Sequence, residues 1–221
     1  MVREPEHHKI RISRTAHLYT LGSLTPKTRF VWLVCHGYGQ LAERFVKKFT
    51  VLDLDRHFII APEGLSRFYW GGVSGEVVAS WMTRKDPLEE IEDHTHFLDD
   101  VYCQYDNLAS DDVRWVMFGF SQGNATIIRY LERYRPAFDS LLIWAGRLPR
   151  ESGNVDFVNY LNQRSLHYFY GDRDIYVTEA RLLEEREFFD GINLDIQVHP
   201  FHGEHRVDKN TLEAWSGNHF V

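Results

Sequence analysis

Short, dense apolar runs alternate with longer amphipathic segments along almost the whole chain, and this alternation limits the possible folds most strongly. The apolar runs are RFVWLVCHG, HFIIAPEG, VRWVMFGF, DSLLIWAG and SLHYFYGDRD. Such runs are typical of strands that are buried on both faces. Segments with helical spacing lie between or after them: LAERFVKKFTVLD, DPLEEIEDHTHFLDDVYCQYDNL, GNATIIRYLERYR and TEARLLEEREFFDGI. The pattern predicts an α/β fold, with a mostly parallel central sheet and helices on both of its faces.

Further elements are predicted near the two ends of the chain. HKIRISRTAHLYTLG alternates loosely and predicts one or two edge strands or a hairpin, while LDIQVHPF and NTLEAW predict a last strand and a final helix. Asp86 is a candidate cap for the longest helix, and Thr178 and Gly191 mark the start and end of another. No internal repeat or linker-like segment is visible, so residues 1–221 are expected to form a single domain.

The composition is that of a globular protein. Of the 221 residues, 43% are hydrophobic and 26% are charged, and the net charge is −7. Neither a disordered chain nor a nucleic-acid partner is expected. The N-terminal segment has no secretory apolar core, and no run reaches the ~18 apolar residues of a membrane span. Cys35 and Cys103 are expected to be buried free thiols, which fits a reducing compartment. A cytoplasmic protein without stable membrane insertion is therefore expected, and the sequence leaves open whether it forms a homo-oligomer.

Parallel sheets bind their ligands at the carboxyl ends of the strands, which points to HGYG, PEG, GFSQG, AGRLP, YGDRD and PFHGEH. GFSQG is a Gly-x-Ser-x-Gly pattern between a predicted buried strand and a predicted helix. In this context the pattern forms a sharp turn that raises the serine above the sheet. Gly119 and Gly123 are needed there because larger side chains at these positions would clash. The alternative is a glycine-rich helix start that Ser121 only caps. The strand and the helix favour Ser121 as a nucleophile.

A serine hydroxyl needs a base that takes its proton and an acid that orients the base. In chains with this turn the acid and then the histidine follow later, each after a strand. Asp172 and Asp174 follow the run SLHYFY, and His202 and His205 follow LDIQVHPF. One aspartate is expected to be only a turn residue, but spacing alone does not separate the two aspartates or the two histidines.

Histidines crowd the last predicted strand and the segment after it: His199, His202 and His205. Together with Glu204 they raise the alternative of a zinc site. Their spacing matches no helical zinc motif such as H-E-x-x-H and no thiolate accompanies them, so neither a metal nor another cofactor is expected. The remaining histidines, including His94 and His96 on the longest helix, are interpreted as solvated.

Acyl transfer also needs two backbone N–H groups that stabilise the oxyanion of the tetrahedral intermediate. One donor belongs to the residue after the nucleophile, which is Gln122 at a predicted helix start. The other is expected in LVCHGYGQ, where Gly37 and Gly39 allow the required backbone geometry and Tyr38 is the natural donor. A simple tight turn is the alternative for this loop.

The chain resembles the phospholipase/carboxylesterase family of α/β-hydrolases, which includes acyl-protein thioesterases. The resemblance rests on LVCHGYGQ, APEG, GFSQGNATIIRY, the Gly171-x-x-Asp174-x-x-Val177 stretch and a late histidine followed by a helix. It implies an α/β-hydrolase fold without a separate cap domain. It also implies Asp174 as the acid, His205 as the base and no metal.

The chain departs from the family pattern in three places. Asn124 follows GFSQG where the family often has a small residue. Glu204 precedes His205 where the family commonly reads Gly-His, which keeps His202 as a weaker candidate base. Residues 64–86 differ most, because they are long for a loop and such loops are usually functional or disordered. Three of their side chains are candidates for an acyl pocket, with core packing as the alternative: Trp70, Trp81 and Met82.

These observations predict a serine carboxylesterase that hydrolyses a small-molecule ester or thioester through an acyl-enzyme. A lysophospholipase, an acyl-protein thioesterase or a peptidase would use the same machinery. A catalytically silent hydrolase fold that only binds ligands is the alternative from another class. The set of Ser121, Asp174 and His205 favours an enzyme, because a binding protein need not keep all three.

Overall fold

A seven-stranded sheet forms the centre of the computed structural model, which describes residues 4–220. The strands are β1 (Leu18–Leu21), β2 (Phe30–Cys35), β3 (His57–Pro62), β4 (Ser66–Trp70), β5 (Glu76–Ser80), β6 (Arg114–Phe120), β7 (Ser140–Trp144), β8 (Ser165–Gly171) and β9 (Gln197–Phe201). The order in the large sheet is β1-β3-β2-β6-β7-β8-β9, and β4 and β5 form a separate hairpin. Only β1 runs antiparallel to its neighbour, β3. The predicted mostly parallel sheet is confirmed.

Helices cover both faces of the sheet, as predicted. Residues 4–220 form α1 (Ala42–Phe45), α2 (Pro87–Asp106), α3 (Gln122–Tyr134), α4 (Val155–Leu161), α5 (Glu179–Gly191) and α6 (Lys209–His219). A 3₁₀ segment, Val46–Val51, continues α1, and a second lies at Arg150–Ser152. Side chains from α2 to α5 pack on one face, and those from α1, the first 3₁₀ segment and α6 pack on the other.

Strand β2 shows why its segment is apolar throughout. Val31, Leu33 and Cys35 point into the core under α2 to α5, while the residues between them point into the core under α6. All six residues of the strand are fully buried. Burial of a large aliphatic or aromatic side chain contributes about 1.5–3 kcal/mol, so a strand covered on both faces needs an apolar residue at every position.

Several local predictions differ from the structure. Of the edge strands or hairpin predicted for the N-terminal segment, one edge strand is present, β1, while residues 4–17 have no regular structure. Asp86 makes no side-chain capping hydrogen bond and has a left-handed backbone with φ +49°, whereas Thr178 caps α5 by accepting from the N–H of Arg181. Cys103 is exposed, because it lies on the outer side of α2, while Cys35 is buried.

The segment 64–86, predicted as a long loop, is mainly the hairpin of β4 and β5. The bridge between Gln40 and Ala79 ties this hairpin to the loop after β2. Ring packing of Tyr38 on Phe68 and Trp70 strengthens the same connection. The hairpin therefore stands beside the carboxyl ends of the strands. None of the helices formed by residues 4–220 has the length and apolar character needed to cross a bilayer.

Candidate active site

Ser121 lies at a sharp turn between β6 and α3. It has φ +54° and ψ −114°, in the backbone region that residues other than glycine rarely occupy. The Ser121 N–H donates to the carbonyl of Trp144, and the Ser121 carbonyl accepts from the N–H of Asn124. These bonds hold the strained residue in place. The hydroxyl is thereby presented at the carboxyl edge of the sheet, as the Gly-x-Ser-x-Gly pattern predicts.

The two glycines of the pattern are needed because the chain packs against itself at the turn. A Cβ atom at Gly123 would lie 2.2 Å from the carbonyl oxygen of Cys35. A Cβ atom at Gly119 would lie 2.6 Å from the Cα atom of Asn124. Both contacts are with backbone atoms, which a side-chain rotation cannot relieve.

Gly123→Ala is therefore expected to destabilise the protein by about 1–3 kcal/mol or more, the usual cost of overpacking. Gly217→Ala is the matched control. Gly217 lies in α6 with no atom within 4 Å of the added Cβ, and alanine in an exposed helix should stabilise by about 0.5–1 kcal/mol. Urea denaturation of both variants measures the difference, and equal stabilities would contradict the role of the close contact.

Asn124, the departure from the family pattern, fastens the turn to strand β7. Its side chain is fully buried, its Nδ2 donates to the carbonyl of Trp144 at 3.0 Å, and its Oδ1 accepts from the Trp144 N–H at 3.1 Å. The amide nitrogen and the amide oxygen of Asn124 are thus both hydrogen-bonded to one residue of the neighbouring strand. A small residue here would leave those backbone groups without these partners.

His205 and Asp174 lie next to Ser121 in loops after two other strands. The His205 Nε2 atom is 3.0 Å from the Ser121 Oγ, and its Nδ1 is 2.7 Å from the Oδ2 of Asp174. An ionised carboxylate only accepts hydrogen bonds, so His205 Nδ1–H donates to Asp174 and Nε2 accepts the Ser121 hydroxyl proton. The three side chains form one continuous hydrogen-bonded chain.

The surroundings fix the orientation of the imidazole. The Asp174 side chain is fully buried, and its Oδ1 accepts from the N–H of Tyr176 at 2.8 Å. The His205 ring lies between Phe120 and Tyr176, with centroid distances of 5.0 and 4.8 Å. Since the imidazole is hydrogen-bonded to the carboxylate and packs on two aromatic rings, the nitrogen that faces Ser121 is fixed as well.

The other two candidates, Asp172 and His202, form a separate pair at the surface. Their Oδ2 and Nδ1 atoms are 2.9 Å apart, and the Asp172 Oδ1 accepts from the N–H of Gly203. The hydrogen bond from His202 holds the pKa of Asp172 below its usual value. Backbone bonds from Asp172 to Phe201 and from Arg173 to Gly203 join the two loops. These backbone bonds align the two loops, and the pair of Asp174 and His205, not that of Asp172 and His202, reaches Ser121.

The predicted oxyanion donors flank Ser121. Gly37 packs so closely that a Cβ there would lie 3.2 Å from the Ser121 Cβ, and Tyr38 follows it in the same loop. Gln122 is the first residue of α3. Within residues 4–220, the backbone N–H groups of Tyr38 and Gln122 donate to no protein acceptor. Both groups are therefore free to bind an oxygen beside the hydroxyl.

The Gln122 side chain connects the turn to the chain leaving the hairpin. Its Nε2 donates to the Met82 carbonyl at 2.9 Å, and its Oε1 accepts from the Trp81 N–H at 3.2 Å. Trp81 is buried, and its indole N–H donates to the carbonyl of His36. Burial lowers the pKa of His36 to about 4, so its neutral ring accepts from the N–H of Gly64. This hydrogen-bonded network stabilises the loop that contains Tyr38.

A cavity of about 450 Å³ opens above Ser121 and His205. One part of its wall is aromatic, with Tyr38, Trp70 and Tyr176. The other part is charged, with Arg147, Arg181 and Glu185. Of the three predicted pocket residues, Trp70 lines this cavity. Trp81 and Met82 lie outside its lining, because the hairpin turns them toward the core and toward α3.

The charged side of the cavity is not predicted by the sequence analysis above. Arg147 follows β7 in AGRLP, where the rule that ligands bind at strand ends could have found it. Arg181 and Glu185 lie on α5 and carry no local signal, because an exposed helix normally has such residues. The three histidines of the alternative zinc site are separated, because His199 packs against His167 while His202 and His205 pair with different aspartates. Residues 4–220 contain no group of three or more His, Cys, Asp or Glu side chains arranged to hold a metal.

The turn at Ser121, the strand order and the two helical layers define the α/β-hydrolase fold. The chain is similar in structure to acyl-protein thioesterase 2 of Zea mays, with a TM-score of 0.69, 13% identity and coverage of 92% of this chain and 99% of that one. The carboxylesterase of Bacillus cereus gives a TM-score of 0.64 at 16% identity and 92% and 94% coverage. Esterase PE8 gives a TM-score of 0.65 at 16% identity and 93% and 99% coverage.

No protein-family model and no curated protein matches the sequence. The predicted resemblance to the phospholipase/carboxylesterase type of α/β-hydrolase is confirmed at the level of the fold. At such low identities the likeness extends to the arrangement of strands and helices. The chemistry has to be argued from the residues of this chain.

Proposed function

We propose that this protein is a serine hydrolase that cleaves carboxylic esters or thioesters, with Ser121 as nucleophile, His205 as base and Asp174 as the acid that orients it. The observation that carries the proposal is the hydrogen-bonded chain from the buried Asp174 carboxylate through His205 to the Ser121 hydroxyl. Ser121 lies on a strained turn, and an open cavity lies above its hydroxyl, which supports the same role. The esterases and the thioesterase of similar fold support ester hydrolysis in general.

In the acylation step the Ser121 Oγ attacks the carbonyl carbon of the substrate. The hydroxyl proton passes to His205 Nε2, and Asp174 stabilises the imidazolium that forms. When the tetrahedral intermediate collapses, the bond to the leaving oxygen or sulfur breaks and His205 gives its proton to that atom. The acyl group remains as an ester on Ser121.

Water releases the acid in the second step. His205 Nε2 takes a proton from the water, whose oxygen attacks the acyl-enzyme, and then returns that proton to the Ser121 Oγ. In both steps the backbone N–H groups of Tyr38 and Gln122 stabilise the negative oxygen. Removing one such donor typically costs about 10²–10³-fold in rate, so these two groups carry a large share of the catalysis.

A single catalytic domain over residues 1–221 and a cytoplasmic location complete the proposal. Burial raises the pKa of the Cys35 thiol, which keeps it protonated and unreactive in the core. Cys103 is free and exposed, a condition that a reducing compartment maintains.

A fluorophosphonate probe tests the nucleophile. We expect the wild-type protein to be labelled on Ser121, the Ser121→Ala variant to remain unlabelled, and Ser110→Ala, at an exposed position on the surface, to be labelled like the wild type. Mass spectrometry of the labelled peptide identifies the residue. Undiminished labelling and ester hydrolysis in Ser121→Ala would exclude the mechanism, and a wild-type protein that neither reacts nor hydrolyses esters would favour a binding protein.

A further inference from the structure

The charged wall of the cavity above Ser121 has no function in the mechanism described above. It consists of Arg147 from the loop after β7 and of Arg181 and Glu185 from α5. Ester hydrolysis by a serine nucleophile requires no arginine. Charged side chains in the cavity that holds the nucleophile instead indicate which charged groups the substrate has.

Arg147 is held against the cavity by two glutamates. Its Nε donates to the buried Glu185 carboxylate at 2.9 Å, and its Nη2 pairs with Glu184. Glu185 is only 1% exposed and also pairs with Arg150, so its charge is compensated from two sides. Burial raises the pKa of Glu185, while the two arginines oppose that effect. The second terminal nitrogen of Arg147, Nη1, makes no hydrogen bond within residues 4–220.

Arg181 contributes a second positive charge with unused donors. Its Nη1 donates to the carbonyl of Tyr176 at 2.7 Å, which anchors the guanidinium beside the residue that covers His205. No carboxylate of the described chain forms an ion pair with Arg181. Its remaining N–H groups are therefore available to a ligand, since a guanidinium has five of them.

Two positively charged side chains, Arg147 and Arg181, line this cavity although the whole chain has a net charge of −7. Glu185 also lines it, but this carboxylate is buried and paired with Arg147 and Arg150, whereas both cavity arginines are exposed. A positive charge in a cleft with low-dielectric walls attracts anions more strongly than the same charge on an open surface. The cavity thus selects for a negative group on its ligand.

We infer that the substrate of this site carries an anionic group, a carboxylate or a phosphate, which Arg147 and Arg181 bind while the ester lies at Ser121. The inference rests on the proposed esterase function and names its substrate class. Arg181 suits such groups because the Nε and Nη2 edge of its guanidinium can offer paired donors to two oxygens, while Arg147 adds the free Nη1. The aromatic wall formed by Tyr38 and Trp70 then covers the uncharged part of the substrate.

Matched pairs of chromogenic esters test the inference. For an anion on the acyl part, 4-nitrophenyl hemiglutarate is compared with its uncharged methyl ester. For an anion on the leaving group, 4-acetoxybenzoate is compared with methyl 4-acetoxybenzoate. Charge-assisted hydrogen bonds predict a kcat/KM about ten- to a hundredfold higher for the charged member of one pair, a preference that declines as salt is added. The pair that shows it identifies which part carries the anion.

Variants of α5 connect the preference to the arginine. Arg181→Gln is expected to reduce the ratio of the two kcat/KM values about tenfold, mainly through KM of the charged ester, and Arg181→Lys to retain part of it. Arg186→Gln, an exposed arginine of the same helix outside the cavity lining, is expected to change nothing.

Three outcomes would count against the inference. Equal kcat/KM values within both pairs would overturn it, and so would an equal loss of preference in Arg186→Gln. A failure of the esterase function has a different signature, because then neither member of a pair would be hydrolysed in a Ser121-dependent manner. That last result would overturn the function and the inference together.

Discussion

His205→Ala is expected to lower kcat/KM for a chromogenic ester by about 10⁴-fold or more, whereas His202→Ala should leave it within about twofold. The two histidines are three positions apart, and each donates to its own aspartate. His205 Nε2 lies 3.0 Å from the Ser121 hydroxyl, while the exposed His202 makes, among residues 4–220, only its surface pair with Asp172. The chain thus supplies its own control for the effect of removing an imidazole.

Asp174 and Asp172 allow the same comparison for the residue that orients the base. Asp174→Asn keeps the shape of the side chain but removes the charge that stabilises the imidazolium, and losses of about 10⁴-fold in kcat are known for such changes. Asp172→Asn should not alter the rate. Steady-state kinetics over a range of pH measures all four variants. A large loss in the His202 and Asp172 variants, with a small one in the others, would transfer the roles to the surface pair.

The parts of the fold that the sequence predicts are those determined by short segments. A strand such as β2 needs apolar residues on both faces wherever it lies, so its run of six identifies it without knowledge of its neighbours. Helix α3 is likewise visible, because its apolar side repeats at helical period. The turn at Ser121 is predicted for the same reason, since two glycines and the flanking elements suffice.

The missed parts depend on contacts that are distant in sequence. The sequence predicts a solvated His94, but this residue is fully buried beside Trp81, which the hairpin of β4 and β5 brings onto α2. The sequence does not predict the hairpin either, because β4 has no buried residue and β5 is exposed in its first half and buried in its second, without alternation. Trp81 appeared suited to an acyl pocket and instead packs in the core. No local pattern distinguishes these two positions of an aromatic residue.

The candidate site could be predicted only in part from the sequence. The rule that ligands bind at strand ends predicts both Asp–His pairs near the site. The local sequence around Asp172 and Asp174 does not show which pair reaches Ser121. The difference arises from backbone bonds that join the loops after β8 and β9 and direct one pair outward. Resemblance to a family favoured Asp174 and His205 by position. The geometry gives a physical reason for that preference, which the kinetic comparison above tests.

Acidification to about pH 5 is expected to reduce the free energy of unfolding by several kcal/mol, through four buried histidines that fold in the neutral form. Burial lowers the pKa of His36, His57 and His94 to about 4 and that of His167 to about 3, from an ordinary value of 6.5. Between about pH 6.5 and 4 the unfolded chain binds protons that the folded chain does not. Stability therefore falls as the pH falls through this window, by about 2 kcal/mol for each histidine at pH 5.

The local contacts explain why these rings remain neutral. His57 Nδ1 accepts the indole N–H of Trp32 at 3.0 Å, and His36 Nε2 accepts the N–H of Gly64 at 2.9 Å. A proton on either nitrogen would replace an accepted hydrogen bond with two opposed donors in a buried place. Carboxylates titrate mainly below this range, so the histidines dominate the first part of acid unfolding.

Two leucine variants on helix α2 isolate the contribution of one ring. His94 is fully buried, and its ring nitrogens have no hydrogen-bond partner within residues 4–220, so His94→Leu removes a titrating group without breaking a hydrogen bond. Urea denaturation at about pH 7 and pH 5 should show a loss of stability that is smaller by about 2 kcal/mol in this variant. His96→Leu, at an exposed position two residues along the same helix, should lose as much as the wild type. If His94→Leu and the wild type lost the same amount, the buried ring would not be a source of the acid sensitivity.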